Sequence, residues 1–359
     1  MAINRLYDTW FRTVRQLWPE VRRTLGRNLA WFVSGMYQSR SVQLQRIAMK
    51  IPSAATLPSV TRQQSRLLAN PQVRVRPWYR PTAQAVVQEM ARSVGEIRLI
   101  VDATKVSAQH QLVMVALAYR RRAIPLAWTW VRHAKGHTSA YRQRALLAYV
   151  YRLIPLGVPV VVVGDSGFGA VEVLRQLEAW HWYYALRQTA KELVRFPRQV
   201  TWHAFGSLVE HPGQSVWRKG VTFTARRTHR TNVWADWASG EKEPWLLTTN
   251  LPTAARTCQA YGRRMWIDEM FGDLKKHGVD LESTHLTQIA RLSRLTLLVA
   301  LLYLWLISVG SHLIKRGQRS WVDRHDRRDL SIFQIGWRLI ERFLNNALPL
   351  PRVLRPYFR

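Results

Sequence analysis

The stretch GVPVVVVGDSGFG, residues 157–169, runs four valines into a glycine-rich turn at Asp165. Nothing in it alternates, so it reads as a strand covered on both faces, as in a parallel sheet. A carboxylate directly after such a strand is costly unless it is paired or holds a cation. In open α/β sheets the carboxyl ends of strands are also where sites are built. A plain turn is the other reading of Gly-Asp-Ser-Gly. The same pattern occurs upstream in IRLIVDATKV, residues 97–106, where an apolar run meets Asp102.

Around these two segments the periodicity changes in an orderly way. QLVMVALAYRRRAIPLAWTWV, residues 111–131, holds two apolar runs joined through arginines, so residues 97–131 read as three neighbouring strands. SAYRQRALLAYVYRLI (139–154) reads as a helix, AVEVLRQLEAWH (170–181) as another, and WYYALR (182–187) as a further strand. Strands followed by helix, strand, helix and strand predict a mixed α/β sheet with flanking helices. Residues 188–250 break the rhythm with VTFTARRTHRTNVW and EPWLLTTNL, which read as short antiparallel strands of a β-rich insertion. The expected division is a helical, basic region over 1–90, an α/β domain over 91–315 carrying that insertion, and a basic helical tail over 316–359. Within the first region, residues 39–52 and 58–70 have helical character and PQVRVRPWYRP (71–81) reads as a linker.

The charge balance limits the partners. The chain has 359 residues, 54 Lys and Arg against 22 Asp and Glu, and a net charge of +32. The first 88 residues contain only Asp8 and Glu20 as acids. Such a field attracts polyanions, nucleic acid above all, although a membrane surface would also satisfy it. The single cysteine, Cys258, excludes an internal disulfide framework and any Cys-rich zinc module. It fits a reducing cytoplasm and reads as an ordinary helix residue. LTLLVALLYLWLISVG (295–310) is apolar but shorter than the roughly 18–20 residues that span a bilayer, so it is expected to be a core helix.

YGRRMWIDEMFGDLKKHG, residues 261–278, carries the most specific signal. Read as one helix at about 100° per residue, Tyr261, Arg264, Asp268 and Lys275 fall within roughly 60° of one another. Trp266, Ile267, Met270, Phe271 and Leu274 gather on another side. A carboxylate between two fixed cations is either an ion-paired surface or part of a site handling phosphate and metal. Three carboxylates from two strand ends and a helix can hold two Mg²⁺ or Mn²⁺ ions, which take hard oxygen ligands.

The order Asp102, Asp165, then Tyr261-x2-Arg264-x3-Asp268-x6-Lys275 resembles the DDE transposases of bacterial insertion sequences. The subgroup concerned carries a Tyr-Arg-Glu-Lys signature on its last catalytic helix, and the resemblance covers roughly residues 40 to 315. It implies a ribonuclease-H-like core interrupted by a β-insertion and a helical N-terminal DNA-binding region. It implies that Asp102, Asp165 and Asp268 bind two divalent metals, that Tyr261 and Arg264 hold a phosphate, and that Lys275 contacts DNA. The chain departs from the signature where Asp268 replaces glutamate and Glu269 follows it. Glu269 lies about 100° around a helix from the file, so Asp268 is the expected ligand and Glu269 the fallback.

The activity implied is metal-dependent cleavage at transposon ends followed by strand transfer into target DNA. A relative that binds DNA without cutting it is the alternative. The partners implied are the inverted repeats of the element ends and target DNA, bound by a homodimer in a synaptic complex at the bacterial nucleoid. Trp202, Trp217, Trp234 and Trp237 are candidates to receive a flipped base by stacking. RHAKGHTSAYRQR (132–144) brings His133, Lys135, His137, Arg142 and Arg144 together as a candidate DNA-contacting loop. RGQRSWVDRHDRRDL (316–330) mixes charge signs and reads as an exposed connector.

Overall fold

The valine run becomes a strand, Val160–Gly164, of a computed structural model that describes residues 2–132 and 138–358. In chain order the principal elements are helices α1 (Ala2–Leu17), α2 (Arg23–Ser39), α3 (Leu44–Ala48), α4 (Leu57–Ala69) and α5 (Val75–Val94). Strands β1 (Ile97–Lys105), β2 (His110–Tyr119) and β3 (Arg122–Arg132) follow, then α6 (Ala140–Tyr151), β4 (Val160–Gly164), α7 (Val171–Ala179) and β5 (Tyr183–Arg187). Next come β6 (Leu193–Arg195), β7 (His203–Ala204), β8 (Ser215–Phe223), β9 (His229–Asp236) and β10 (Trp245–Thr249). Helices α8 (Ala254–Tyr261), α9 (Trp266–Leu274), α10 (Ile289–Lys315) and α11 (Ile332–Asn345) complete the chain.

Among the described residues, ten strands form one sheet in the order β3-β2-β1-β4-β5-β10-β9-β8-β6-β7. β1 and β2 are antiparallel, as are β2 and β3, whereas β4 lies parallel to β1 and to β5. This is the mixed α/β sheet with flanking helices expected from the sequence. β4 is buried throughout because it has a strand on each side and helix-bearing connections before and after. The β-rich insertion appears as expected, but it extends the same sheet: β10 pairs antiparallel with β5, and β9 and β8 continue outward.

The chain forms two compact units, Met90–Glu269 and a second built from Met1–Glu89 with Met270–Arg359. The units therefore run differently from the division read in the sequence, because the N-terminal helices share a core with the C-terminal ones. In that helical unit Trp10 meets Trp305 edge-on at 5.4 Å, and Tyr37 stacks on Trp337 at 4.7 Å. Gly310 and Gly336 let α10 and α11 touch: a methyl group at Gly336 would lie 2.0 Å from the Leu306 carbonyl oxygen. Arg294 donates to the carbonyls of Leu68 (2.9 Å) and Val73 (3.1 Å), satisfying the end of α4.

Three local expectations change. Residues 71–81 are not a linker throughout, since α5 starts at Val75 and carries Pro81 inside it. α10 is 27 residues long with a mean hydropathy of 2.1 in its most apolar window, so length does not exclude a membrane span; 89% of that window is buried inside the protein. The segment 261–278 is not one helix. α8 ends at Tyr261, and the amides of Arg263 and Arg264 turn back to the carbonyls of Ala260 (3.3 Å) and Tyr261 (2.8 Å). Glycine at position 262, the poorest helix former after proline, marks the break.

Candidate active site

Adjacent parallel strands bring the first two acids together. Val101 of β1 is in register with Gly164 of β4, so the next residues along each strand, Asp102 and Asp165, emerge side by side. Gly164 is required by space: a Cβ there would lie 2.8 Å from a Val101 methyl carbon and 3.1 Å from the Val101 carbonyl oxygen. β1 continues to Lys105, so Asp102 stands within the strand, 4% exposed. Its Oδ1 accepts the Ala103 amide at 2.7 Å.

Asp165 closes β4 and also makes the turn, its Oδ1 accepting the Gly167 amide at 2.6 Å. Two buried amide side chains, not noticed in the sequence, fix that turn. Gln143 of α6 donates to the carbonyls of Thr138 (2.8 Å) and Gly167 (2.7 Å). Gln188 donates to the Gly169 carbonyl (3.2 Å) and the Thr248 hydroxyl (2.7 Å). A lone Gln on an otherwise apolar helix face was the signal available at position 143.

Arg264 joins the acids. Lying in the turn between α8 and α9, its guanidinium reaches Asp102 Oδ2 at 3.0 Å, Asp268 Oδ2 at 3.1 Å and Asp165 Oδ2 at 3.7 Å. Asp268 stands in the first turn of α9, and its side chain is 41% exposed. Glu269 points elsewhere, pairing with Arg122 of β3 at 3.0 Å, its side chain 59% exposed. Tyr261 is buried, its ring edge-on to Trp245 at 5.0 Å. Lys275 belongs to the helical unit and pairs with Glu282 at 2.9 Å. The structure thus gathers Asp102, Asp165, Asp268 and Arg264 at contact distance, with Tyr261 ending the preceding helix.

The electrostatics follow from burial. Desolvation raises the Asp102 carboxyl to about 7, against the lowering effects of Arg264 and the Ala103 amide, with Asp268 and Asp165 adding to the rise. Asp268 is raised for the same first reason, opposed by Arg264. Burial likewise lifts the Tyr261 hydroxyl to about 12, so it stays protonated. For Arg264 burial acts downward, but Asp102 and Asp268 outweigh it and the guanidinium stays charged. Three carboxylates around one guanidinium leave an excess of negative charge when all are ionised.

That donor set suits a divalent cation in type: hard oxygens, convergent and partly desolvated. Among the described residues, no three Asp, Glu, His or Cys side chains are close enough to ligate one ion as they stand. Arg264 supplies the positive charge at the centre instead.

The other candidates are placed less centrally. Trp234 is buried and its indole N–H donates to the Ser215 hydroxyl at 3.0 Å, which makes it a packing residue. Trp237 donates to the Glu241 carbonyl at 2.9 Å, and Trp202 lies under the Arg195 guanidinium at 4.9 Å. Trp217 is half-buried. His133, Lys135 and His137 lie outside the described residues. Arg142 is exposed, and Arg144 donates to Gln176 at 2.6 Å. Cys258 lies on α8 and is exposed.

No curated protein sequence matches the chain. Among solved structures it is similar to piggyBac transposase, seen in a cryo-EM synaptic complex with hairpin DNA. The TM-score is 0.44 and the identity 9%, over 98% of this chain and 80% of that one. A model of the family described as Transposase DDE domain matches residues 94–305, more than half of the chain. The chain therefore belongs to the DDE-domain transposase family and is a DNA transposase.

Proposed function

We propose that Asp102, Asp165 and Asp268 are the catalytic acids, and that the protein cuts transposon ends and joins them to target DNA. The family uses divalent metal ions in general; the finer reading is two Mg²⁺ or Mn²⁺ ions held by these three acids. Such ions activate water and stabilise the leaving oxygen in phosphodiester cleavage. The observation carrying the reading is the convergence of the three acids on Arg264.

In this reading water attacks the phosphorus at an element end and the P–O3′ bond breaks, leaving a 3′-hydroxyl. That hydroxyl then attacks a target phosphodiester and displaces one of its oxygens, so bond count is conserved. Arg264 carries the charge and fork geometry to grip the phosphate. The Tyr261 hydroxyl, protonated at neutral pH, donates beside it. Lys275 contacts the flanking backbone, and the basic region over 1–90 recognises the end sequence. A homodimer holds both ends in one synaptic complex in the bacterial cytoplasm. The Tyr-Arg-Glu-Lys subgroup is part of the same proposal, with Asp268 in the glutamate position and Glu269 engaged by Arg122.

The test uses a duplex carrying the inverted repeats that flank the gene, incubated with Mg²⁺ or Mn²⁺. Wild type should nick it at the repeat boundary, and Asp102→Asn should bind it without cutting. Binding without cutting by the wild type would instead support the inactive, DNA-binding alternative.

A further inference from the structure

Arg264 occupies the position of a cation. Its two terminal nitrogens engage all three acids of the cluster. Both oxygens of Asp102 are committed, one to Arg264 and the other to the Ala103 amide. Arg264 Nε, in contrast, is buried without an acceptor. The guanidinium is therefore well placed for the carboxylates but incompletely satisfied, with its buried Nε–H left without an acceptor.

Magnesium needs ligand oxygens at about 2.0–2.1 Å in near-octahedral array. An oxygen that accepts from a guanidinium at hydrogen-bond distance cannot also give its best lone pair to an ion held among the same acids. Two like charges in one partly desolvated cluster also repel.

We propose that Arg264 is the resting counter-ion of the acid cluster, so that a metal ion enters by displacing it and the released guanidinium becomes free for a DNA phosphate. The proposal rests on the assignment of the three acids as metal ligands. Exchange of this kind couples two ligands through one side chain. A phosphate that draws Arg264 away opens the carboxylates to metal, and metal that expels Arg264 supplies a free fork for phosphate. The coupling is reciprocal by necessity. Protein without DNA then binds metal weakly, and DNA and metal load together.

The test is Mn²⁺ binding, followed by electron paramagnetic resonance of the full chain without DNA at neutral pH. Arg264→Gln should bind Mn²⁺ about tenfold or more tightly than wild type, the effect of removing one competing charged hydrogen-bond donor. Asp102→Asn should lose the site. If Arg264→Gln binds no more tightly while Asp102→Asn still abolishes binding, the exchange is wrong and the metal centre stands. If Asp102→Asn binds like wild type, the metal assignment fails and the exchange fails with it. Thermal unfolding gives a second readout: Mn²⁺ should raise the Tm of Arg264→Gln more than that of wild type. Should Arg264→Gln fold only with Mn²⁺ present, the proposal is supported. If Mn²⁺ does not rescue its folding, the proposal is overturned.

Discussion

Helix α10 and the start of α9 are both built into buried surroundings, yet they place opposite demands on the chain. From Leu295 to Val309 α10 buries every residue without a formal charge, and its Thr296 and Ser308 hydroxyls donate back to helix carbonyls at 2.8 and 2.7 Å. Its stabilisation comes from apolar area and packing, so it depends on neither pH nor any ligand. The α9 end holds Asp268, beside Arg264 and the nearly buried Asp102. Burial there raises the cost of the charged state, so the region is stable only through its partners. The contrast separates residues that hold the fold from residues kept at the expense of stability.

The widest gap between the regions should appear in function. Asp102→Asn or Asp268→Asn should reduce metal-dependent nicking by at least about 10⁴-fold, the scale of losing one member of a catalytic set. DNA affinity should be nearly unchanged. In α10, by contrast, Trp305→Ala should lower unfolding free energy by about 3–5 kcal/mol in a denaturant titration, since Trp305 is 2% exposed and packs on Trp10.

Changing pH sharpens the comparison. The folded Asp102 carboxyl is raised to about 7, above its unfolded value, so the native state binds more protons in between. Stability of the metal-free protein should then fall as pH rises from about 4 to about 7, by on the order of 4 kcal/mol. Asp102→Asn should flatten that slope, whereas Trp305→Ala should leave it in place. Unfolding curves in chelator across this range give the measurement. The smallest effect belongs to Glu269→Gln. The Glu269 side chain is 59% exposed, so the pair with Arg122 is worth less than about 1 kcal/mol and cleavage should stay within about fivefold of wild type.

The same comparison explains what could be read from the sequence. The valine run of β4 and the apolar run before Asp102 announced themselves by composition, and strand register alone then placed the two acids side by side. Helical angles set Asp268 apart from Glu269 in the sequence, and in the structure Asp268 meets Arg264 while Glu269 meets Arg122. The single helix is broken at Gly262, but the intervening turn still winds through i to i+3 hydrogen bonds. Gln143 and Gln188 were missed, since what matters in them is a long-range contact to a backbone carbonyl. Nor could composition show that the insertion would join the main sheet, or that the first 89 residues would share a core with the last 90. Such pairings depend on contacts between segments distant in the chain.

The central claim is that three distant acids serve one metal centre. Fe²⁺ substituted for Mg²⁺ generates hydroxyl radicals in the presence of ascorbate and peroxide, and these cut the backbone nearest the bound ion. The account predicts fragments ending near residues 102, 165 and 268 together, all three lost in Asp165→Asn. Cuts near one of these positions without the others would contradict it.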